Sequence, residues 1–373
     1  MSELSRRSFL NQTALMGAAL ALGRWLPSSR HRGQITPTAA VFPANRVIHA
    51  HCNAATYWDY TTGWYGDYVD QAIVDEMTDQ GVMALTDTAT PAGAWRALIP
   101  TYAAGQVVAI KINLNNASSE DSDQIIDALP QPVNSVIRGL RSIGAEERDI
   151  RVYDVTDGMH LSAMPGRLVR KISAPYPEVQ FHSNTSDHSI VLGYSSTEMV
   201  HFNVPPGGPS IDDLPICNAL VDATYLINMP VMKKHSGAGV TLGFKNHFGS
   251  IQHNNLLHWA TLPIDPQYNP GYSGLVDIFS NPHFVGKTVL TIGDGLYGAR
   301  FNQYGEVPSP WPTFGDMSPN SLFFSVDPVA IDCVMLDILE EEGGVIPGSD
   351  DYLRIADEHG LGSYGRRDTM NQY

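Results

Sequence analysis

The chain has 373 residues, 43% of them hydrophobic, with 23 Lys and Arg against 39 Asp and Glu for a formal charge of −16. That length and apolar content build one large core or two smaller ones. The acidic balance, with no basic stripe, excludes phosphate backbones and anionic lipid surfaces as partners. Three cysteines, Cys52, Cys217 and Cys333, occur with no CxxC spacing, so no iron–sulfur cluster or zinc ribbon is expected from this set.

The first element is "SELSRRSFLNQTALMGAALALG", where Arg6 and Arg7 precede a mild apolar run. It resembles a twin-arginine (Tat) export signal, with small residues Thr38, Ala39 and Ala40 offering a cleavage point after residue 40. The run is too short to span a bilayer. The reading is therefore a Tat leader over 1–40, handled by the Tat machinery, and a mature body over 41–373 in the periplasm or outside the cell, with no stable membrane span. A leader retained as an anchor stands beside cleavage as the alternative.

Chain order then predicts a strand at "RVIHAHC" and helices around "GDYVDQAIVDEMTDQG" and "PAGAWRALIPTYAAG". The aromatic stretch "TYWDYTTGWYGDY" between them fits a pocket wall or an exposed loop. "VVAIKINL", "VNSVIRGLRSIGA" and "IRVYDVT" have the spacing of a strand–helix–strand unit, so a parallel pair is expected. Residues 157–215 are short alternating pieces between Pro and Gly clusters, which read as an inserted β-rich subdomain or flap. "DLPICNALVDATYLINMPVM" returns to helix and buried strand, and "TVLTIGDGL" and "SLFFSVD" are two later strands. A helix, "PVAIDCVMLDILEEEGG", follows. The fold class is α/β: a mostly parallel or mixed sheet with flanking helices and a small β-rich insertion.

Ligands of open α/β sheets bind beyond the carboxyl ends of strands. This chain puts polar residues there: Lys111, Asn113 and Asn115; Asp154 and Asp157; Lys233, Lys234 and His235; Asp294; Asp327. The loop after His235 is rich in glycine and carries Lys245, Asn246 and His247. Lysines and an imidazole around glycines suit a carboxylate, phosphate or enolate, with backbone amides close by. His235 is the candidate acid or base. Asp327 before Pro328 also fits a helix N-cap. His253 and His258 are metal candidates, imidazole being a ligand for nickel, zinc, copper or iron.

Together "GQVVAIKINLNN", "INMPVMKKHSGAGVTLGFKNHFGS", "LTIGDGLYG" and "FFSVDPVAIDCVMLDIL" resemble the DUF362 family of domains of unknown function, over roughly Arg46 to Glu342. Relatives carrying a ferredoxin module have CxxCxxC cysteines that this chain lacks. A more distant resemblance, to nickel-pincer lactate racemases, rests on His235 and Lys245, ten residues apart across a Gly-rich loop. That resemblance implies proton exchange by His235, cofactor anchoring by Lys245, and a pincer-type nickel cofactor ligated by His253 or His258. The racemases' other histidine motifs are not evident. Three functions stay open: an exported enzyme for a small anionic substrate or cofactor, with racemase- or oxidoreductase-like chemistry; a periplasmic metal- or cofactor-binding or maturation protein without turnover; and a non-catalytic interaction module.

Overall fold

A computed structural model describes residues 43, 45–114, 124–155, 164–235, 237–261, 263–301, 306–343 and 345–365. All lie in the unit Thr36–Tyr373. The leader expected over 1–40, with Arg6 and Arg7, and the strand-end residues Asn115 and Asp157 lie outside the described residues.

The strands in chain order are β1 Ile48–His51, β2 Val108–Lys111, β3 Ile150–Tyr153, β4 Gln180–Ser183, β5 Ile190–Val191, β6 Tyr194–Val200, β7 Leu214–Cys217, β8 Tyr225–Asn228, β9 Val231–His235, β10 Gly239–Thr241, β11 Thr288–Ala299 and β12 Ser321–Ser325. Ten form one mixed sheet in the order β1-β12-β11-β8-β2-β3-β4-β5, with β9 paired to β11 and to β10. The pairs from β11 through β8, β2, β3 and β4 to β5 are parallel, whereas β12 is antiparallel to both β1 and β11.

Strands buried on both faces show no apolar–polar alternation, which is why "VVAI" and "TYLI" read as continuous runs. Val108 and Ile110 of β2 enter one core and Ala109 the other; Tyr225, Ile227 and Leu226 of β8 divide the same way. The first core is covered by the helices Gln71–Thr86, Pro91–Leu98, Pro130–Ser142 and Gly166–Ser173. The first of these starts where the Asp70 side chain accepts the amides of Ala72 and Ile73. It lies so near the sheet that a Cβ at Gly81 would sit 2.3 Å from the Phe324 ring. The second core is covered by the helices Gly274–Ser280, Pro328–Gly343 and Asp351–Glu358.

The β-rich region divides differently from a single flap. β4 and β5 extend the main sheet beside β3, and only β6 and β7 form a separate antiparallel pair. Among the described residues, no helix is long and apolar enough to cross a membrane.

Candidate functional site

Strand order places the site. From β2 the chain runs outward through β3, β4 and β5, then returns to lay β8 on the other side of β2. The connections therefore diverge between β2 and β8, and ligands of open α/β sheets bind beyond the strands' carboxyl ends at such a switch point. Lys111, the last residue of β2, is there paired with Asn228, the last of β8.

Four of the expected strand-end residues, Lys111, Asn113, Asp154 and Lys233, join one polar network with Asn246 and Asn228. Lys111 Nζ lies 2.7 Å from Asp154 Oδ1, an ion pair with side chains 0% and 2% exposed. It also donates to the Ile112 carbonyl at 2.6 Å and to Asn246 Oδ1 at 3.2 Å. Asn113 Nδ2 donates to the same Asn246 oxygen at 3.1 Å, and Asn113 Oδ1 accepts from Lys233 Nζ at 2.6 Å. Asn246 Nδ2 donates to Asn228 Oδ1 at 2.8 Å, and Asn228 Nδ2 to the Gly243 carbonyl at 3.0 Å. Burial pulls the Lys111 ammonium down and pushes the Asp154 carboxyl up, and their contact opposes both shifts. The negative charge bearing most on Lys233 is Asp127, also buried.

Lys245 differs from its neighbours. It is buried, and its Nζ lies 3.9 Å from the centroid of the Phe248 ring. Among the described residues it has no hydrogen-bond acceptor and no carboxylate partner. Burial and then the nearby Lys233 charge lower its pKa to about 7. Its position is set by the four-residue helix Gly243–Asn246, whose first two amides, Gly243 and Phe244, donate to Asp332 at 2.7 and 3.1 Å. Tyr352 Oη donates to the same carboxylate at 3.0 Å. Burial raises Asp332 to about 7 against these hydrogen bonds.

His235 shares a face of β9 with Lys233, and Lys234 takes the other, as strand alternation requires. Lys234 Nζ reaches outward to the Gly343 carbonyl at 3.5 Å, so it does not join the network. His235 Nδ1 accepts the amides of Gly237 and Ala238 at 3.1 and 2.9 Å, which puts the proton of the neutral ring on Nε2. Burial, then Lys245, His258 and Lys233, drive its pKa down to about 2. Neutral His235 is thus a hydrogen-bond donor. His258 has the opposite tautomer: Nδ1 donates to the Asn255 carbonyl at 3.0 Å, leaving the lone pair on Nε2. Burial and the Lys245 charge lower its pKa.

The remaining candidates scatter. Asp294 is buried in β11, accepts the Leu296 amide at 3.0 Å and is raised by burial to about 6; with Asp127 it bears on the Tyr65 phenol. Asp327 is an N-cap: one oxygen accepts the amides of Val329 and Ala330, and the other that of Ser363. His253 opens the turn Asn254–Ala260 in a left-handed conformation. Among the described residues, no group of three or more His, Cys, Asp and Glu side chains could hold a metal ion. His253 and His258 belong to no such group.

Sequence reading missed Asn228, Asp127, Asp332 and Gly249. Asn228 and Asp332 are polar residues interrupting an apolar strand and an apolar helix, a signal that was available, whereas Asp127 lies between β2 and the helix Pro130–Ser142 in no regular element. A Cβ at Gly249 would stand 1.9 Å from Asp154 Oδ1 and 2.6 Å from Lys111 Nζ, so the loop backbone needs glycine to pack over the ion pair.

A family model described as "Domain of unknown function (DUF362)" matches residues 108–337. No curated protein matches the sequence. Among solved structures, the lactate racemase apoprotein from Thermoanaerobacterium thermosaccharolyticum is similar at 14% identity with a TM-score of 0.36, covering 67% of this chain and 52% of that one. This chain thus spans about half the length of that protein.

Proposed function

We propose, for a chain that belongs to the domain-of-unknown-function family DUF362, that it is an enzyme acting on a small anionic substrate at the carboxyl ends of β2, β8 and β9. One observation carries the reading. Lys111 and Lys233 each have a built partner, Asp154 and Asn113, whereas the buried Lys245 has none among the described residues. A desolvated ammonium without a counter-charge is costly and is stabilised by an anionic ligand. Lys233 and Lys245 are the anion contacts, with the Lys111–Asp154 pair and Asn113, Asn228 and Asn246 as the rigid frame beneath them.

The proton-transfer roles follow from the tautomers. His235 presents Nε2–H to polarise an oxygen of the substrate. The role of proton acceptor passes to His258 Nε2 and to the amine form of Lys245, whose pKa of about 7 suits a group that gives and takes protons near neutrality. The resemblance of the stretch around Arg6 and Arg7 to a twin-arginine signal supports export, so the reaction is proposed to run outside the cytoplasm.

Binding is tested by calorimetry on the purified full chain with acetate, oxamate and inorganic phosphate, beside Lys245→Met. The reading expects at least one anion to bind wild type and to bind the variant about 10- to 100-fold more weakly, as for loss of a charged hydrogen bond. Equal binding by both proteins removes Lys245 from the site.

A further inference from the structure

We propose that Lys245 is a nucleophile, and that it forms a Schiff base with the ketone of a small 2-oxo carboxylate. This rests on the anion-binding reading of the same crevice and names the substrate class for it. An amine becomes a nucleophile when it is desolvated and stands beside another cation with no counter-ion holding it as ammonium. Lys245 meets these conditions: it is buried, packed over Phe248 at 3.9 Å, within the field of Lys233, and without a carboxylate among the described residues. Lys111 does not, because Asp154 sits 2.7 Å away.

The substrate class follows from the pairing of two lysines with different duties. Lys233 gives one N–H to Asn113 Oδ1 and keeps two more, so it serves as a fixed cation for a carboxylate. Lys245, within the field of the Lys233 charge, supplies the reacting amine. A molecule engaging both carries a carboxylate and an electrophilic carbon, and a 2-oxo acid is the smallest molecule that holds the two. His235 Nε2–H is the proposed donor to the carbonyl oxygen.

The step balances without a co-reactant. The Lys245 nitrogen bonds to the carbonyl carbon, and the C–O π electrons move to oxygen. Two of the three ammonium hydrogens leave with that oxygen as water. What remains is a protonated imine, so ammonium plus ketone gives iminium plus water with no net proton or electron change. The iminium then draws electrons from bonds to the neighbouring carbons.

The test treats the wild-type full chain with pyruvate and cyanoborohydride, then locates the reduced secondary amine by peptide mass spectrometry. Oxamate, a carboxylate of similar shape that has an amide in place of the ketone, is measured in parallel by calorimetry. Lys245 is expected to be modified about tenfold faster than the surface residue Lys171, with oxamate protecting it. If oxamate binds but Lys245 stays unmodified, the Schiff base is overturned and the anion site stands. If oxamate does not bind and Lys245 stays unmodified, both fall. Modification spread evenly over surface lysines also overturns the proposal.

Discussion

The Asp332 carboxylate reaches across 89 positions of sequence to accept the Gly243 amide at 2.7 Å, and so fixes the start of the short helix that carries Lys245 and Asn246. Its second oxygen takes the Phe244 amide and the Tyr352 hydroxyl. The helix is too short to stand alone. The position of the candidate nucleophile is therefore set from the second core, by a residue that does not itself touch the strand-end network.

This anchor gives a pH signature. The Asp332 pKa is raised from 3.8 to about 7, so the native state holds its proton more tightly than the unfolded chain does. The stability it contributes is present below about pH 4 and is lost as pH rises to about 7, by up to about 1.4 kcal/mol per unit. Asp332→Asn abolishes that slope. Urea midpoints at pH 4.5 and 7 should converge in the variant relative to wild type; an unchanged difference would remove Asp332 as its source.

The ion pair beneath the site has a different signature. Lys111→Met leaves the Asp154 carboxylate buried without its cation, which costs about 3–5 kcal/mol. Lys111→Met with Asp154→Leu removes both charges and recovers most of that loss. Denaturant unfolding of the two variants checks it, and the pair is not a buried charge pair if the double variant is no more stable than the single.

Gly249→Ala tests the loop that closes over this pair. The added Cβ would meet Asp154 Oδ1 at 1.9 Å and Lys111 Nζ at 2.6 Å, neither of which moves freely while paired. A loss of about 1–3 kcal/mol is expected, as for overpacking a well-filled interior. In a background lacking both charges the same substitution should cost less, and a thermal-melt double-mutant cycle measures the difference.

Much of this site is written locally. Lys111, Asn113, Asp154 and Lys233 stand where apolar strands end, and a parallel sheet brings such ends together whatever the strand order. Lys234 was separable from Lys233 by alternation alone, and Asp327 before Pro328 reads as the cap it is. Non-local geometry was illegible. Nothing near Asp332 in "PVAIDCVML" says that its carboxylate meets Gly243, and nothing near Asn228 says that it meets Asn246. The tautomer of His235 was also hidden, because it depends on the amides of Gly237 and Ala238 folding back onto Nδ1. The same local ambiguity joined β4 and β5 to β6 and β7 in one β-rich stretch, since strand length and punctuation do not reveal which partner a short strand finds.

His235→Asn separates architecture from chemistry at that position. Asparagine Oδ1 falls near the place of imidazole Nδ1 and can accept the same two amides, so stability should stay within about 1 kcal/mol of wild type. The Nε2–H donor is lost, and turnover or trapping of a bound carbonyl compound should fall about 100-fold or more. A variant that unfolds early shows instead that the ring is held for packing.

Lys245 offers the sharpest separation, because function and stability there carry opposite signs. Burial and Lys233 lower its pKa from 10.5 to about 7, so between those values the unfolded chain binds a proton that the native state does not. Native stability from this group therefore rises with pH across that window, and is least at pH 7 and below, where the native state must hold an unpartnered ammonium. Lys245→Met keeps the side-chain length, removes the charge and retains packing on Phe248. The variant should melt higher than wild type at pH 6, with the gap closing toward pH 10, while losing anion affinity. In wild type that affinity should hold steady below about pH 7 and decline above it, as the cation is titrated away. Melting curves and calorimetry at pH 6, 8 and 9.5 decide the matter: a variant that is less stable at pH 6 and binds anions as wild type does would make Lys245 a packing residue.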